Sequence, residues 1–397
     1  MAAAMAEAPP VDLAVVGAGV SGCALAAQLR RLGWSGTLAI LEIGRGPGGR
    51  AATRRSRHDP GLRINHGAPL LNLQNPEQPP PALLEPLLIG GWVEPWAASI
   101  GCLDGEGKLD APRDDGFSRD ALYRGRGGME QLCHGLLHLA GSPELHGNSL
   151  VRWLQPLPAG GWRLLGATGD PLLSCRWLAL SGTLLAHPRC QALLGWSQVP
   201  LQAAAAQLDD QALHQACDAL GQLDAWASSN LLLTLPPERA AAWRAAPHQL
   251  LQFSPAAQER WGLRRVSIQP LQDGRCAVVA ESSAAFARRA IGIYGSGSAA
   301  AQQLGAAPDP SAEQGVINAL DQALQEALGL PTAGADRQLM RWGAAFPRPP
   351  GLPTALSLCA SSRIGFCGDY LAGPGFGRIE GALRSAETLA HRLIGLL

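Results

Sequence analysis

The sequence predicts an α/β protein: a doubly wound parallel sheet into which a mixed α+β domain is inserted. Three observations predict it. An apolar run at Leu13–Val16 ends in a glycine turn that opens an Ala/Leu-rich segment, and a second apolar run, "TLAILE", returns after it. Alternation of strand and helix patterns resumes near residue 120 and again near the C-terminus. Between these stretches lie two long excursions of different texture.

In order along the chain, "VDLAVVGAGVSGCALAAQLRRLG" reads as a strand, a turn and a helix to Leu32 that Gly33 stops. With "TLAILE" it forms a βαβ unit, a crossover that is almost always right-handed. From Asn72 to Pro112 the text is rich in Pro and Gly, with a strand expected only at "IGGWVEPW". "LYRGRGGMEQLCHGLLHLAG" predicts a glycine-started helix, followed by strands near 145, 150, 162 and 176. The second excursion, from about Ala186 to Gly329, predicts an Ala/Gln/Leu-rich helical stretch (Gln198 to Ala227), strands at "SSNLLLTL", "GLRRVSIQP" and "RCAVVAES", and the helix "AEQGVINALDQALQEALGL". The close is a strand, a glycine loop and a long helix. The resulting expectation is one domain from 1–72, 113–186 and 333–397, and a second from 73–112 and 187–332.

Composition bounds the function. At about 150 residues per domain, 397 residues hold two or three compact units. Basic and acidic residues balance at 32 each, which argues against nucleic acid or an anionic membrane as partner and favours a small molecule. Nine scattered cysteines with no C-x-x-C argue against a disulfide framework or a zinc finger, and so for a reducing, cytoplasmic setting. The opening "MAAAMAEAPP" lacks the pattern of a signal peptide and reads as a frayed tail, and no segment has the length of apolar sequence that a membrane span needs. Lys108 is the only lysine, in what reads as a solvated turn.

"GAGVSG" sets Gly17, Gly19 and Gly22 in G-x-G-x-x-G register, with Ser21 among them, after a strand and at the start of a helix; Glu42 ends the next strand twenty residues beyond Gly22. Gly17 permits the tight turn, Gly19 the approach of a pyrophosphate, Gly22 the close packing of helix on strand, and Glu42 is suited to the hydroxyls of an adenosine ribose. The first domain is therefore read as a Rossmann-type dinucleotide-binding domain. A nicotinamide-binding unit continues from its acidic residue into another helix and strand. Here the chain runs instead into "GRGPGGRAATRR", where Arg45, Gly48, Gly49 and Arg50 form a loop able to pass close to a bulky cofactor and hold a pyrophosphate bidentately, which points to FAD. "IGIYGSGSAAAQQLG" repeats the register at Gly295, Gly297 and Ala300, but no strand with an acidic end follows, so it reads as an ordinary loop. Cys133, His134 and His138 share a helical face without a third ligand at a telling spacing, and read as helix surface or core; no metal is expected.

In this order, "GAGVSG", "GRGPGGRAATRR", "INHGAPLLNL", "LYRGRGGMEQLC", "MRWGAAFP" and "GFCGDYLAGPGFGRIEGALRSAETLA" resemble the renalase-like branch of the FAD-dependent amine oxidoreductases. The resemblance covers the three parts of the cofactor domain and matches the excursions only in outline. It implies that Gly17, Gly19, Gly22 and Glu42 hold the ADP half, Arg50 the pyrophosphate, and the Val151 backbone the adenine. Gly368 and Asp369 would lie by the ribityl and pyrophosphate. Arg378, Ile379 and Glu380 would bring the start of the terminal helix to the flavin N1 and C2 carbonyl, where a helix N-terminus stabilises negative charge. His66, Gly67 and Ala68 would run past the isoalloxazine ring, with His66, Trp342 and Tyr370 at the substrate cavity.

The activity implied is oxidation of dihydronicotinamide isomers of NAD(P)H by hydride transfer to flavin N5, with O2 as acceptor and hydrogen peroxide as product. Amine oxidation is disfavoured, because enzymes of the monoamine-oxidase kind keep a lysine near N5. A non-turnover flavin-binding electron-transfer or regulatory protein is an alternative reading, and a desaturase a further one. The chain also departs from the branch: Asn65 stands for Asp, Pro69 and Leu70 for Gln-Tyr, Tyr370 for Trp, and "AGPGF" lengthens a loop. These changes are read as a rewritten substrate-facing surface.

Overall fold

The computed structural model describes residues 9–56, 58–75, 77–110, 121–305 and 307–397. The expected N-terminal tail up to residue 8, and the expected domain boundary at 113, lie outside the described residues.

Strands Glu144–His146, Leu38–Leu41, Val11–Val16, Pro171–Leu180 and Ile364–Phe366 run parallel in that spatial order. Their ends are in register: His146 pairs with Leu41, Leu41 with Val16, Val16 with Leu180, and Leu180 with Phe366. The residues that leave this carboxyl edge are therefore Gly147, Glu42, Gly17, Ser181 and Cys367, and in an open α/β sheet this edge is where ligands bind. The first half of Pro171–Leu180 belongs to an antiparallel meander with Trp153–Pro156 and Trp162–Leu165.

The sheet buries alternate residues on opposite faces, as the pleat requires. Leu13, Val15, Ile40 and Ala179 pack against the helices Val20–Arg31, Gln131–Leu139 and Ile379–Leu393. Ala14, Leu41, Leu178 and Phe366 pack on the other side against the meander residues Leu154, Trp162 and Leu164. The same core contains Leu201, Ala205, Leu213 and Leu220 from helices Pro200–Ala205 and Gln211–Gly221. These helices lie inside the 187–332 stretch expected to form the second domain, but their apolar faces cover the first sheet.

The second sheet has seven strands, in the order Asp336–Arg348, Asp224–Leu235, Cys276–Ser282, Leu263–Pro270, Leu250–Phe253, Ile100–Leu103 and Leu109–Asp110. Both excursions contribute to it, because Ile100–Leu103 pairs in parallel with Leu250–Phe253. The edge strand Asp336–Arg348 falls within the 333–397 stretch assigned to the first domain, yet pairs along its length with Asp224–Leu235. One face of this sheet is covered by helices Pro237–Arg244, Pro255–Trp261 and Pro310–Leu328, which bury Trp243, Leu320 and Leu324 completely. Its other face meets the hairpin Thr53–Arg55/Arg63–Asn65 through Ile64, Leu232, Ala277 and Val279. Gln269 fixes this junction by accepting from the Asn65 N–H and donating to the Asn65 carbonyl, both at 2.9 Å.

Candidate active site at the carboxyl edge

The three glycines of the first turn are needed for three different reasons. Gly17 lies at φ +102°, and a Cβ there would come within 2.4 Å of Ser181 Oγ, a hydroxyl that donates to the Gly17 carbonyl at 2.8 Å. A Cβ at Gly22 would sit 2.1 Å from the Gly17 carbonyl oxygen. At Gly19 a Cβ would meet nothing within 4 Å. Gly19 is the N-cap of helix Val20–Arg31 and has no side-chain cap, so open space lies where the helix N-terminus presents its amides. Ser21, buried, turns its hydroxyl to the Ser181 carbonyl at 3.3 Å, and supports the turn from behind.

Glu42 spans the base of the turn. One carboxylate oxygen accepts from the Ala18 N–H at 2.8 Å, the other from Gly44 N–H at 2.7 Å. Each oxygen keeps a further lone pair, as ribose hydroxyls require. Burial raises the pKa of Glu42 against the pull of these two amides.

The loop after Glu42 lies on the glycine turn. Gly48 donates to the Ala18 carbonyl at 2.8 Å and forms a bridge with Gly19. Gly49, at φ +53°, would place a Cβ 3.2 Å from the Gly19 Cα, so this contact admits only glycine without a shift. Arg45 is exposed on the loop's outer side. Arg50 reaches across the edge to grip Asp369 bidentately, at 2.7 and 2.5 Å, and donates to the Ala345 carbonyl at 2.8 Å. Burial works against its charge and Asp369 more than offsets it, so the Arg50 pKa lies above its ordinary value. These bonds use three of the five guanidinium N–H groups.

Asp369 in turn accepts from Gly377 N–H through its carbonyl at 2.8 Å, which ties the Arg50 pair to the start of the terminal helix at Ile379. Gly368 donates to Ser385 Oγ at 2.9 Å. Glu380 is almost wholly buried and turns away from the edge to accept from Gln74 N–H and Arg384 Nε, each at 2.8 Å; it anchors the helix start rather than presenting a carboxylate to a ligand. Arg378 reaches Asn72 Oδ1 at 3.3 Å. Val151 is buried at the entrance to the meander, three residues after the bond from Asn148 N–H to the Gly44 carbonyl.

His66, which follows the strand Arg63–Asn65, and Trp342, on Asp336–Arg348, come together. Their rings stack at 5.5 Å with 7° between planes. The His66 carbonyl accepts from Asn230 Nδ2 at 2.8 Å and from the Trp342 indole at 3.3 Å, and Nδ1 of the buried ring has no hydrogen-bond partner in the described residues. Gly67 packs against Arg50, where a Cβ would lie 2.1 Å from the Arg50 carbonyl, and the Ala68 N–H donates to that carbonyl at 2.7 Å.

Burial, with the charge of Arg54 second, lowers the pKa of His66 to about 4 from 6.5. The imidazole is therefore neutral near pH 7. A lowered histidine stabilises the fold fully above pH 6.5, and this contribution is lost as pH falls toward 4, by about 3 kcal/mol at most. Glu42, whose pKa is raised, acts in the opposite direction as pH climbs above its ordinary value. The expected result is that His66→Gln flattens the loss of stability between pH 6.5 and pH 4 relative to wild type, as read from denaturant midpoints at each pH.

Several expected substrate-facing positions lie elsewhere. Tyr370 is buried in the core behind the sheet, its hydroxyl donating to the Leu180 carbonyl at 3.3 Å, so it does not line a cavity with His66 and Trp342. Asn65 Oδ1 accepts from Thr53 Oγ1 and Met129 N–H, both at 2.8 Å. Leu70 packs with Ile100 and Leu250 of the second sheet. Three of the departures read as a changed substrate surface are thus changes of interior packing. Two residues the sequence did not mark join the site: Ser181, and Arg189, whose Nη2 donates to Thr183 Oγ1 at 2.6 Å and whose pKa is lowered by burial and by the charge of Arg50. Their only sequence signal is position after the strand Pro171–Leu180, one of the five whose ends are in register.

In the second glycine register, Gly295 and Gly297 lie in the loop between helices Ala284–Arg289 and Ala299–Gln303 and Ala300 in the second helix, with a helix rather than a strand before the loop. Among the described residues no group of three or more His, Cys, Asp or Glu is placed to hold a metal ion, and no helix is long and apolar enough to cross a membrane. All nine cysteines are buried, and none forms a disulfide.

A family model described as the NAD(P)-binding Rossmann-like domain matches residues 15–80. The cyclohexylamine oxidase of Brevibacterium oxydans IH-35A superposes with a TM-score of 0.63 at 14% identity, over 98% of this chain and 99% of that one. A putrescine oxidase superposes at 0.56 and 14%, over 98% and 99%, and an oxidoreductase from Methanosarcina mazei at 0.59 and 11%, over 96% and 100%. The chain has the fold of these oxidases. No curated protein matches it by sequence. The likeness extends over both domains, so the inserted sheet as well as the dinucleotide-binding domain belongs to the shared fold.

Proposed function

We propose that the chain is an FAD-dependent oxidoreductase of renalase-like type, oxidising a small reduced substrate, a dihydronicotinamide isomer of NAD(P)H, with O2 as acceptor and hydrogen peroxide as product. The observation that carries FAD over a nicotinamide dinucleotide is the bidentate Arg50–Asp369 pair, which joins the loop after Glu42 to the loop before the terminal helix across 319 residues of sequence. A nicotinamide-binding unit has no need of that closure. The fold of the oxidases named above supports the same reading.

The residues present fit the group. Gly19 leaves open space before a helix N-terminus for a pyrophosphate, and Glu42 keeps lone pairs for the ribose. FAD, when bound, supplies the redox chemistry, taking a hydride equivalent and passing electrons to oxygen. The chain's part is binding and orientation. His66 and Trp342 offer a flat, desolvated wall, and a neutral His66 adds no charge to repel a dihydropyridine. An already reduced substrate needs alignment more than a base. The only lysine, Lys108, is 74% exposed beside Asp110, so an amine-oxidising site with a lysine has no candidate.

Anaerobic mixing of the FAD-loaded protein with the 2- and 6-dihydro isomers of NAD(P) is expected to bleach the flavin within seconds, and air to restore it with release of peroxide. Flavin that stays oxidised with both isomers removes the substrate class. Stoichiometric FAD with no turnover of any dihydronicotinamide or amine would favour a non-turnover electron-transfer protein.

A further inference from the structure

Strand Asp224–Leu235 turns every second residue toward the first domain, and its contacts mark the row. Leu232 packs with Ile64 of the hairpin, and Asn230 donates to the His66 carbonyl at 2.8 Å. Ser228 lies directly across the ladder from Trp342. Trp226 and Asp224 continue the row, opposite Phe346 and Arg348. The register shifts between the pairs Ser228–Trp342 and Trp226–Phe346, with the extra residues on the edge strand, and there Arg50 takes hold of the Ala345 carbonyl at 2.8 Å. The row therefore passes the carboxyl-edge site on its way out.

Ring contacts agree with this placement. Arg348 lies 5.4 Å over the Trp226 ring, and Arg264 lies 3.8 Å over Phe346 while holding Glu281, the residue opposite Asn230, at 3.0 Å. Burial and the charge of Arg50 lower the Arg189 pKa and Asp224 raises it, so Asp224 is also near the arginines of the carboxyl edge. Exposure rises along the row, from 1% at Ser228 to 40% at Trp226. Trp226 is the only exposed Trp, Tyr or Phe among the described residues, and it lies about 7 Å along the strand from the residue opposite Trp342. Arg348 stays 45% exposed in its pair with Asp224, and a surface pair of this kind is weak enough for the guanidinium to turn to another anion.

A nucleotide base stacks on an aromatic face, and a guanidinium recognises a phosphate. An amine, or a dihydropyridine without phosphate, would use neither. We propose that Trp226 and Arg348 hold the nucleotide end of the substrate, the base on the indole and a phosphate on the guanidinium, while the dihydropyridine lies at His66 and Trp342. This inference rests on the reading of the site as a flavin site that oxidises dihydronicotinamides, and adds that the substrate is selected by its nucleotide end.

The test is anaerobic reduction of the FAD-loaded protein by the 2- and 6-dihydro isomers of NAD, and by the matching isomers of nicotinamide riboside, which lack phosphate and adenine. Wild type is expected to prefer the dinucleotide. Trp226→Ala should lower that preference roughly tenfold, as loss of one base stack implies. Arg348→Gln should lower it as well, with Arg348→Lys restoring part of it. The visible spectrum of each variant separates loss of substrate preference from loss of FAD. No preference for the dinucleotide in wild type, a preference left unchanged by Trp226→Ala or by Arg348→Gln, or a loss of FAD in Trp226→Ala would each overturn the proposal and leave the reading of the site standing. Flavin that neither kind of substrate reduces in wild type overturns both.

Discussion

Replacing Gly19 by alanine is expected to cost the protein its dinucleotide while leaving its fold intact, whereas the same change at Gly22 is expected to damage the fold itself. The methyl group at Gly19 meets no protein atom within 4 Å, and so falls in the space before the helix N-terminus where a pyrophosphate would approach. Affinity for FAD should fall by about 3 kcal/mol, roughly 100-fold, with an unchanged melting temperature for the cofactor-free protein. At Gly22 the methyl would stand 2.1 Å from the Gly17 carbonyl oxygen, a rigid backbone atom, and 3.2 Å from Val15. The strand and helix must separate to admit it, at a cost of about 3 kcal/mol. Equilibrium dialysis against FAD and melting of both variants distinguish the two roles. Equal losses of stability at the two positions would show that Gly19 has no special relation to a ligand.

The second large effect is expected at Asp369. Asp369→Ala removes the partner that two Arg50 nitrogens grip and leaves the guanidinium beside the Ala345 carbonyl alone. Breaking an ion pair of this kind costs about 3–5 kcal/mol when both partners are buried. Arg50 keeps 39% of its side-chain surface accessible while Asp369 keeps 7%, so the lower end of that range is expected. The loss extends further than the pair, because the Asp369 carbonyl also receives the Gly377 N–H at the entry to the terminal helix. In a double-mutant cycle with Arg50→Ala, the two losses should fail to add, by 1 kcal/mol or more. Additive losses would mean that the closure between the two ends of the chain carries no energy.

What the sequence showed was mostly local. The turn "GAGVSG", the acidic end of "TLAILE" and the glycines of "GRGPGGR" each carry their own conformational requirement, and the structure meets these with φ values and contacts at the same positions. Pairing across long separations was not legible. Arg50 and Asp369 each read toward a cofactor, and nothing in either segment shows that they grip each other. The direction of Tyr370 is illegible for a related reason: a residue next to a binding loop points either into the cavity or back under the sheet, and one aromatic residue in a loop has no periodicity to decide which. The domain edges failed where pattern fixes an element and leaves its neighbours open. "QLMRWGAAFP" reads as a strand in any sheet, and the helices between Pro200 and Gly221 have an apolar face that suits either core.

The measurement that tests the account most directly is the visible spectrum of the purified protein, with the flavin released by denaturation and quantified. The account predicts a yellow protein, or a colourless one that becomes yellow on reconstitution, with one FAD per chain and with that stoichiometry lost in Gly19→Ala. A folded protein that stays colourless in excess FAD and takes up NAD(P) in its place would contradict it.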